Sequence, residues 1–169
     1  ILSCMACCSY ENKIYFGGGK NSNWSKVADF YSLDVKKRVI KREPKLLSVR
    51  TSHQLATIND LIYSIGGFDD AGNGILSVEA FSPITNQWST VTSVPGTISK
   101  TWPQCLGVSN SRLYISVFHT PFNTFEIKQK AYFYDFKLDI WSDAPVINEK
   151  ARYCTCLLYT SPSPRDYCA

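Results

Sequence analysis

The fold is decided by the stretch Leu61-Ile62-Tyr63-Ser64-Ile65-Gly66-Gly67, because the same pattern occurs elsewhere in the chain. An upstream copy is Lys13-Ile14-Tyr15-Phe16-Gly17-Gly18-Gly19, and both read Tyr-x-x-Gly-Gly at a spacing of 48 positions. A third copy, Arg112-Leu113-Tyr114-Ile115-Ser116-Val117-Phe118, follows 51 positions later without the two glycines. Self-similarity at a fixed period of about 50 residues indicates a repeat architecture.

A second signature follows each copy of the first. An aromatic residue is followed seven positions later by Trp, as in Phe81 to Trp88 and Tyr134 to Trp141. The first repeat has the weaker pair Leu33 and Ile40 at the corresponding positions. Two signatures in the same register are much stronger evidence than a single Gly-Gly.

Each period divides into four short strands separated by polar turns, such as Asn59-Asp60 and the turn from Pro83 to Asn86. The first strand of each period is built from small apolar residues, as in Ala6-Cys7-Cys8-Ser9. No window holds a 3.6-residue period for long enough to predict a helix. We therefore predict an all-β fold, a partial β-propeller of about three four-stranded blades whose ring is incomplete.

The marked positions have physical roles in such a fold. The two glycines permit a positive φ and a close backbone approach where the second strand leaves the sheet. The aromatic residues are large enough to fill the wedge between neighbouring blades. These repeat marks are Gly18, Gly19, Gly66, Gly67, Tyr15, Tyr63, Tyr114, Phe81, Trp88, Tyr134 and Trp141.

The repeat resembles the Kelch family of β-propellers, and most closely its BTB-Kelch members, over residues 1–155. The best copy is the second, from Arg50 to Val94, and the third departs most because Val117-Phe118 replaces the double glycine. We place blade 1 at 1–46, blade 2 at 47–97, blade 3 at 98–148 and the start of a fourth blade at 149–155.

Residues 156–169 do not continue the repeat. The run Cys156-Leu157-Leu158-Tyr159-Thr160-Ser161-Pro162-Ser163-Pro164-Arg165-Asp166 resembles a translated sequencing adapter. The biological alternative is a Ser-Pro-Ser-Pro phosphorylation site in a flexible tail. We interpret this segment as adapter-derived, and we expect the chain to be a fragment that begins within a domain.

Charge and cysteine usage suggest a compartment. The seven cysteines are an odd number, and several lie in apolar stretches, which favours a reducing, cytoplasmic or also nuclear location. No apolar run is long enough to span a membrane. Six basic residues between Lys36 and Lys45 are read as a soluble outer strand, with a nuclear signal or nucleic-acid patch as the alternative.

Signatures of enzymatic chemistry are weak. Cys4 and Cys7 have the spacing of a zinc pair, but residues three apart in a strand face opposite sides of the sheet. Neither His53 nor His119 has other metal ligands at a suitable spacing. We predict no catalytic residue, no metal site and no cofactor.

The resemblance implies a protein-interaction module that binds a protein or peptide, and neither nucleic acid nor membrane. It would be the substrate-recognition region of a BTB-Kelch adaptor, reaching a cullin ubiquitin ligase through a BTB region outside this chain. The alternatives are another Kelch scaffold, such as an actin-associated one, or a fragment of a propeller-based enzyme.

In the Kelch family, partners bind a face formed by loops at the ends of the inner strands. One contributing position follows the double glycine, and others follow the basic residue that opens each blade. Two of these residues, Phe68 and Trp102, alternatively cap the core. The resemblance assigns to this face Lys20, Thr51, Ser52, Phe68, Trp102, His119 and Tyr153.

Overall fold

The computed structural model describes residues 3–96, 101–109, 111–119 and 128–145, and every regular element in these residues is a β-strand. The strands form three four-stranded antiparallel sheets in which consecutive strands are neighbours. Among the described residues there is no helix long and apolar enough to cross a membrane.

The three sheets are the three predicted blades, and they do not close a ring within the described residues. Blade 1 contains β1 (Ala6–Tyr10), β2 (Lys13–Gly17), β3 (Phe30–Asp34) and β4 (Val39–Glu43). Blade 2 contains β5 (Gln54–Ile58), β6 (Leu61–Ile65), β7 (Ser77–Ser82) and β8 (Gln87–Ser93). Blade 3 contains β9 (Thr101–Ser109), β10 (Arg112–His119), β11 (Lys128–Asp135) and β12 (Ile140–Ala144).

The first strand of each blade lies innermost. Strand β5 contacts β1 on one side and β9 on the other, while β4, β8 and β12 are the outermost strands of their sheets. The predicted all-β architecture, a partial β-propeller of four-stranded blades, is thus confirmed for the described residues.

The aromatic residue of the second signature and the Trp seven positions later lie directly opposite each other in the outer hairpin of a blade. Phe81 pairs with Trp88, with ring centroids 5.3 Å apart. Tyr134 pairs with Trp141 at 5.1 Å. A positive-φ residue, such as Asn86 at 58°, closes the turn between each pair. The spacing is therefore a consequence of hairpin register.

Aromatic side chains of one blade lie against the neighbouring blade. The indole Nε1 of Trp88 donates to the carbonyl oxygen of Pro44 in blade 1 at 2.9 Å, and its ring lies 5.0 Å from that of Phe30. Trp141 reaches back to blade 2 in the same way, donating to Thr92 Oγ1 at 2.9 Å. Burying one such side chain stabilises the fold by roughly 2–3 kcal/mol, so these contacts hold the blades together.

Arg50, the basic residue that opens blade 2, is fully buried with a relative exposure of 0%. Its Nη2 lies 2.5 Å from Glu79 Oε1, and its Nη1 donates to the carbonyl oxygen of Gly66 at 3.2 Å. Its own carbonyl oxygen accepts from the backbone N–H of Gly19 in blade 1 at 2.8 Å. One residue thus ties together two strands of blade 2 and the double glycine of blade 1.

The double glycine meets a steric requirement. Gly67 has φ 87°, and a Cβ there would lie 2.6 Å from the carbonyl oxygen of Thr51. In blade 3 the residues at this place, Val117 and Phe118, carry a Cβ and stay in strand β10, which continues to His119. Without glycine the backbone does not turn at this point, so the pairing of β10 with β9 extends further than in blades 1 and 2.

Replacing Arg50 with Met should lower the free energy of unfolding by about 3–5 kcal/mol, because the Glu79 carboxylate would stay buried without a counter-charge. Urea denaturation followed by tryptophan fluorescence measures the change. The control is Arg42→Ala, which removes a pair between Asp29 and a side chain that is 61% exposed, and should cost no more than about 1 kcal/mol. Equal losses for the two variants would contradict the role given to Arg50.

Alanine variants at two glycines of similar φ distinguish the cost of backbone strain from the cost of a steric clash. Gly67→Ala and Gly72→Ala both place alanine at a positive φ, 87° and 82°, but a Cβ at Gly72 meets no atom of the described residues within 4 Å. Both should lose about 1 kcal/mol from strain. Gly67→Ala should lose about 1–3 kcal/mol more from its contact with Thr51. Thermal melting of the two variants compares them, and an equal loss would be inconsistent with the close approach.

Candidate functional site

The loops of interest gather at one end of the sheets. In an antiparallel blade the first strand begins where the second strand ends, so the same end receives the loop after the double glycine and the connection between blades. We call this end of blades 1 and 2 the loop face. It contains Ser3, Cys4, Lys20, Trp24, Thr51, Ser52 and Phe68.

In blade 2 the loop face is built on a backbone pair. Thr51 N–H donates to the Phe68 carbonyl oxygen at 3.2 Å, and Phe68 N–H donates to that of Thr51 at 3.0 Å. Thr51 is only 4% exposed. Its contribution to the loop face is therefore the backbone pair that holds Phe68 in place, rather than its side chain. Phe68 is half-buried and leaves part of its ring surface accessible.

Blade 1 repeats this pair with different residues. Ser3 N–H donates to the Lys20 carbonyl oxygen at 2.9 Å, and Lys20 N–H donates to that of Ser3 at 2.8 Å. Ser3 therefore corresponds to Thr51, an equivalence that the sequence did not reveal because no basic residue precedes Ser3.

A further hydrogen bond joins the two pairs. Ser52 N–H donates to the carbonyl oxygen of Cys4 at 3.1 Å, and both residues have φ 54°. Ser52 is exposed. The structure therefore brings together four of the predicted residues, namely Lys20, Thr51, Ser52 and Phe68, along one line of backbone contacts.

Trp24 was missed by the sequence reasoning. Its side chain is 72% exposed, and the Lys20 ammonium lies 5.4 Å from its ring centroid. The loop backbone around it is fixed, because Asn21 Oδ1 accepts from the N–H groups of Asn23 and Ser25, both at 3.0 Å. An exposed Trp within a polar loop was the available signal, since such rings are common interface anchors.

The loops of the two blades also contact each other. Lys26 Nζ donates to the carbonyl oxygen of Asp69, the second residue after the double glycine. The Asp69 carboxylate accepts from the backbone N–H and the side-chain amide of Asn73, at 2.8 and 3.1 Å. These bonds with Asn73 lower the pKa of Asp69. Loops held in this way lose little conformational entropy when a partner binds.

His53 lies beneath the loop face. Its ring is buried against Gly18, where a Cβ would lie 2.4 Å from His53 Cε1. Burial and the nearby Arg50 charge lower the pKa of His53 from 6.5 to about 3. Neither ring nitrogen has a hydrogen-bond partner among the described residues. The His53 ring therefore packs in its neutral form against the double glycine of blade 1.

The remaining predicted residues belong to blade 3 and beyond. Trp102 pairs in backbone register with Phe118, and His119 with Thr101, at the corresponding end of the sheet. The side chains of Trp102 and His119 lie outside the described residues. Tyr153 and the tail 156–169, with its adapter interpretation, also lie outside them.

Comparison with known proteins confirms the Kelch resemblance. Residues 50–95 match the family model described as Kelch motif. The solved structure of YjhT superposes with a TM-score of 0.63 at 15% identity, covering 85% of this chain and 51% of that chain. The match to YjhT supports the fold.

Several curated relatives match this chain over more than half of its length. Kelch-like protein 36 of Bos taurus is 27% identical over 158 residues, which is 88% of this chain and 25% of the relative. Kelch repeat and BTB domain-containing protein 2 of Ectromelia virus (strain Moscow) is 30% identical over 92 residues, 53% of this chain and 16% of the relative. Alpha-scruin of Limulus polyphemus is 30% identical over 92 residues, 51% of this chain and 10% of the relative. This chain spans a quarter or less of the length of these relatives.

The buried imidazole predicts acid sensitivity. The folded pKa of His53 is about 3, below its ordinary 6.5, so the unfolded chain binds a proton first as the pH falls. The stability that the neutral His53 ring contributes is fully present above pH 6.5, and it is lost progressively as the pH falls toward 3. Between these limits the free energy of unfolding should fall by about 1.4 kcal/mol per pH unit.

Urea titrations at pH 7 and pH 5 measure this slope in a range above the titration of ordinary carboxylates. His53→Leu should flatten the slope, whereas Ile84→Ala, at an exposed position in the turn between β7 and β8, should leave it in place. An unchanged slope in His53→Leu would contradict the assignment.

Proposed function

We propose that this chain, which carries a Kelch motif over residues 50–95, is a protein-interaction module that holds a peptide segment of its partner on the loop face. The observation that carries the proposal is the joined line of backbone contacts through Lys20, Ser52 and Phe68, with the exposed Trp24 beside it. Trp24 and Phe68 offer apolar contact area, while Lys20 and Ser52 offer hydrogen-bond donors. A rigid aromatic anchor with polar neighbours is a typical protein-binding site.

We further propose that the whole protein is a BTB-Kelch adaptor that recruits its partner to a cullin ubiquitin ligase. The similarity to Kelch-like protein 36 and to Kelch repeat and BTB domain-containing protein 2 supports this proposal. Trp102, His119 and Tyr153 would extend the binding face into blades 3 and 4, in line with their positions in the repeat.

Binding to the loop face can be tested with a selected peptide. A random peptide library displayed on phage is panned on the immobilised chain, and the affinity of the recovered peptide is measured by isothermal titration calorimetry. Trp24→Ala and the double variant Lys20→Ala/Phe68→Ala should each weaken binding at least about 10-fold, because anchor residues carry most of an interface's energy.

The control variant is Ile84→Ala, which alters a side chain that is 83% exposed in the β7–β8 turn at the opposite end of blade 2. It should bind like the unaltered chain. Loss of affinity in Ile84→Ala alone would place the site at the other end of the blades and overturn the proposal.

The adaptor role has its own test. Sequencing the transcript beyond the 5′ end of this coding segment should reveal a BTB region in the same reading frame. A transcript without one, together with co-sedimentation of the protein with actin filaments, would favour the scaffold alternative.

A further inference from the structure

The loop after the double glycine of blade 2 contains the dipeptide Asn73-Gly74, and no other asparagine of the chain is followed by glycine. The backbone nitrogen of the following residue can attack the side-chain amide of an asparagine, and a glycine in that place has no Cβ to hinder the approach. Asparagine is accordingly one of the thermolabile residues of proteins. Asn73 therefore carries a reactivity that the proposed function does not use.

The attacking nitrogen would be that of Gly74, which lies opposite Phe68 in a single antiparallel bridge. The two hydrogen bonds of this bridge are made by the residues on either side of the pair, at 3.0 and 2.9 Å. In a pair of this kind the backbone N–H points away from the opposite residue. The Gly74 N–H therefore takes no part in the bridge, and it has no acceptor among the described residues.

Asn73 lies at the end of an exposed turn. Ala71 and Gly72, directly before it, are exposed, and Asn73 itself is half-buried. Its backbone N–H donates to Asp69 Oδ1 at 2.8 Å, and its side-chain Nδ2 donates to Asp69 Oδ2 at 3.1 Å. These bonds slow the attack because they hold the amide in place. Hydrogen bonds in an exposed turn open locally at low cost, however, and water enters when they do.

We propose that Asn73 is a deamidation site, and that its conversion to aspartate or isoaspartate releases the loop that carries Phe68. The nitrogen of Gly74 bonds to Cγ of Asn73, the bond from Cγ to Nδ2 breaks, and Nδ2 leaves as ammonia together with the proton of the Gly74 N–H. Water then opens one of the two C–N bonds of the cyclic imide, adding its hydroxyl to the carbon and its hydrogen to the nitrogen. Opening at Cγ gives aspartate, and opening at the backbone carbonyl carbon gives isoaspartate.

Either product removes contacts that hold the loop. Aspartate has no donor in the place of Nδ2, so a second carboxylate would face that of Asp69, and the two like charges repel each other. Isoaspartate adds one methylene to the backbone before Gly74, which moves Gly74 out of register with Phe68. Lys26 of blade 1 donates to the carbonyl oxygen of Asp69, so a displaced loop would also lose its contact with the neighbouring blade.

The effect on binding rests on the proposed function of the loop face, to which Phe68 contributes apolar contact area. A displaced Phe68 would no longer lie in line with Lys20 and Ser52, and the affinity for a peptide on this face would fall. The chemical step itself requires no partner. The reaction and its effect on binding can therefore be measured separately.

The first experiment follows the reaction in the folded chain alone. The chain is incubated at neutral pH and digested, and its peptides are analysed by mass spectrometry and by enzymatic methylation of isoaspartate. The peptide that contains Asn73 should convert first, whereas the peptide that contains Asn21, which is followed by Ser22 in the corresponding loop of blade 1, should keep its amide.

Two variants test the chemistry of the site. Gly74→Ala should remove most of the isoaspartate, because a Cβ hinders the attack, and Gly74 is not among the glycines of positive φ that exclude alanine. Asp69→Ala should speed the conversion, because it frees the amide of Asn73. Circular dichroism checks that each variant keeps its β-structure.

The second experiment measures the effect on the loop. In Asn73→Asp the backbone N–H groups of residues 68–75 should exchange their hydrogens faster, and the affinity for the peptide selected on the loop face should fall at least about 10-fold. The control is Asn86→Asp, which makes the same chemical change at an exposed position in the β7–β8 turn. It should exchange and bind like the unaltered chain.

Two outcomes would overturn the proposal. If Asn73 converts no faster than Asn21 in the folded chain, it is not a deamidation site, whatever the peptide does. If Asn73→Asp leaves both hydrogen exchange and affinity unchanged, the conversion does not release the loop. A chain that converts at Asn73 and exchanges faster there, but selects no peptide, would support the site and contradict the proposed function.

Discussion

The buried ion pair between Arg50 and Glu79 is the interaction on which the arrangement of blades 1 and 2 depends. A guanidinium without solvent contact requires a counter-charge and several acceptors, and it finds them on β7 and at Gly66, directly after β6. The carbonyl oxygen of the same residue accepts from Gly19 of the neighbouring blade. Because both contacts belong to one residue, the internal geometry of blade 2 and its position relative to blade 1 are coupled.

The position of the loop face depends on Arg50 and its contacts. Thr51 and Ser52 follow Arg50 directly, and they pair with Phe68 and Cys4 through backbone hydrogen bonds. The half-buried Lys20 belongs to the matching backbone pair in blade 1, and the exposed Trp24 lies beside it. A partner would therefore bind a loop face whose backbone is already ordered and is supported by the core directly below it.

The blades differ where their sequences depart from the repeat, and each departure has a local physical effect. Blade 3 has Val117 and Phe118 in place of two glycines, and its strand β10 continues where the other blades turn. Blade 1 has Ile40 in place of Trp, and its outer row lies exposed. The basic hairpin proved to be an outer strand as expected, with Lys41 and Arg42 paired to Glu43 and Asp29. A repeat thus tolerates variation because each blade contacts only its neighbours.

The sequence by itself determined the strand order, the hairpin register and the wedge-filling role of Phe81 and Trp88, because these follow from spacing along the chain. It also indicated which end of the blades carries the candidate site, through the resemblance to Kelch repeats. Only the tertiary structure decided that Thr51 is buried, that Ser3 is its equivalent in blade 1 and that Trp24 stands beside Lys20. Those facts depend on contacts between segments far apart in the chain, and no local pattern of residues encodes which of two neighbouring side chains points to solvent.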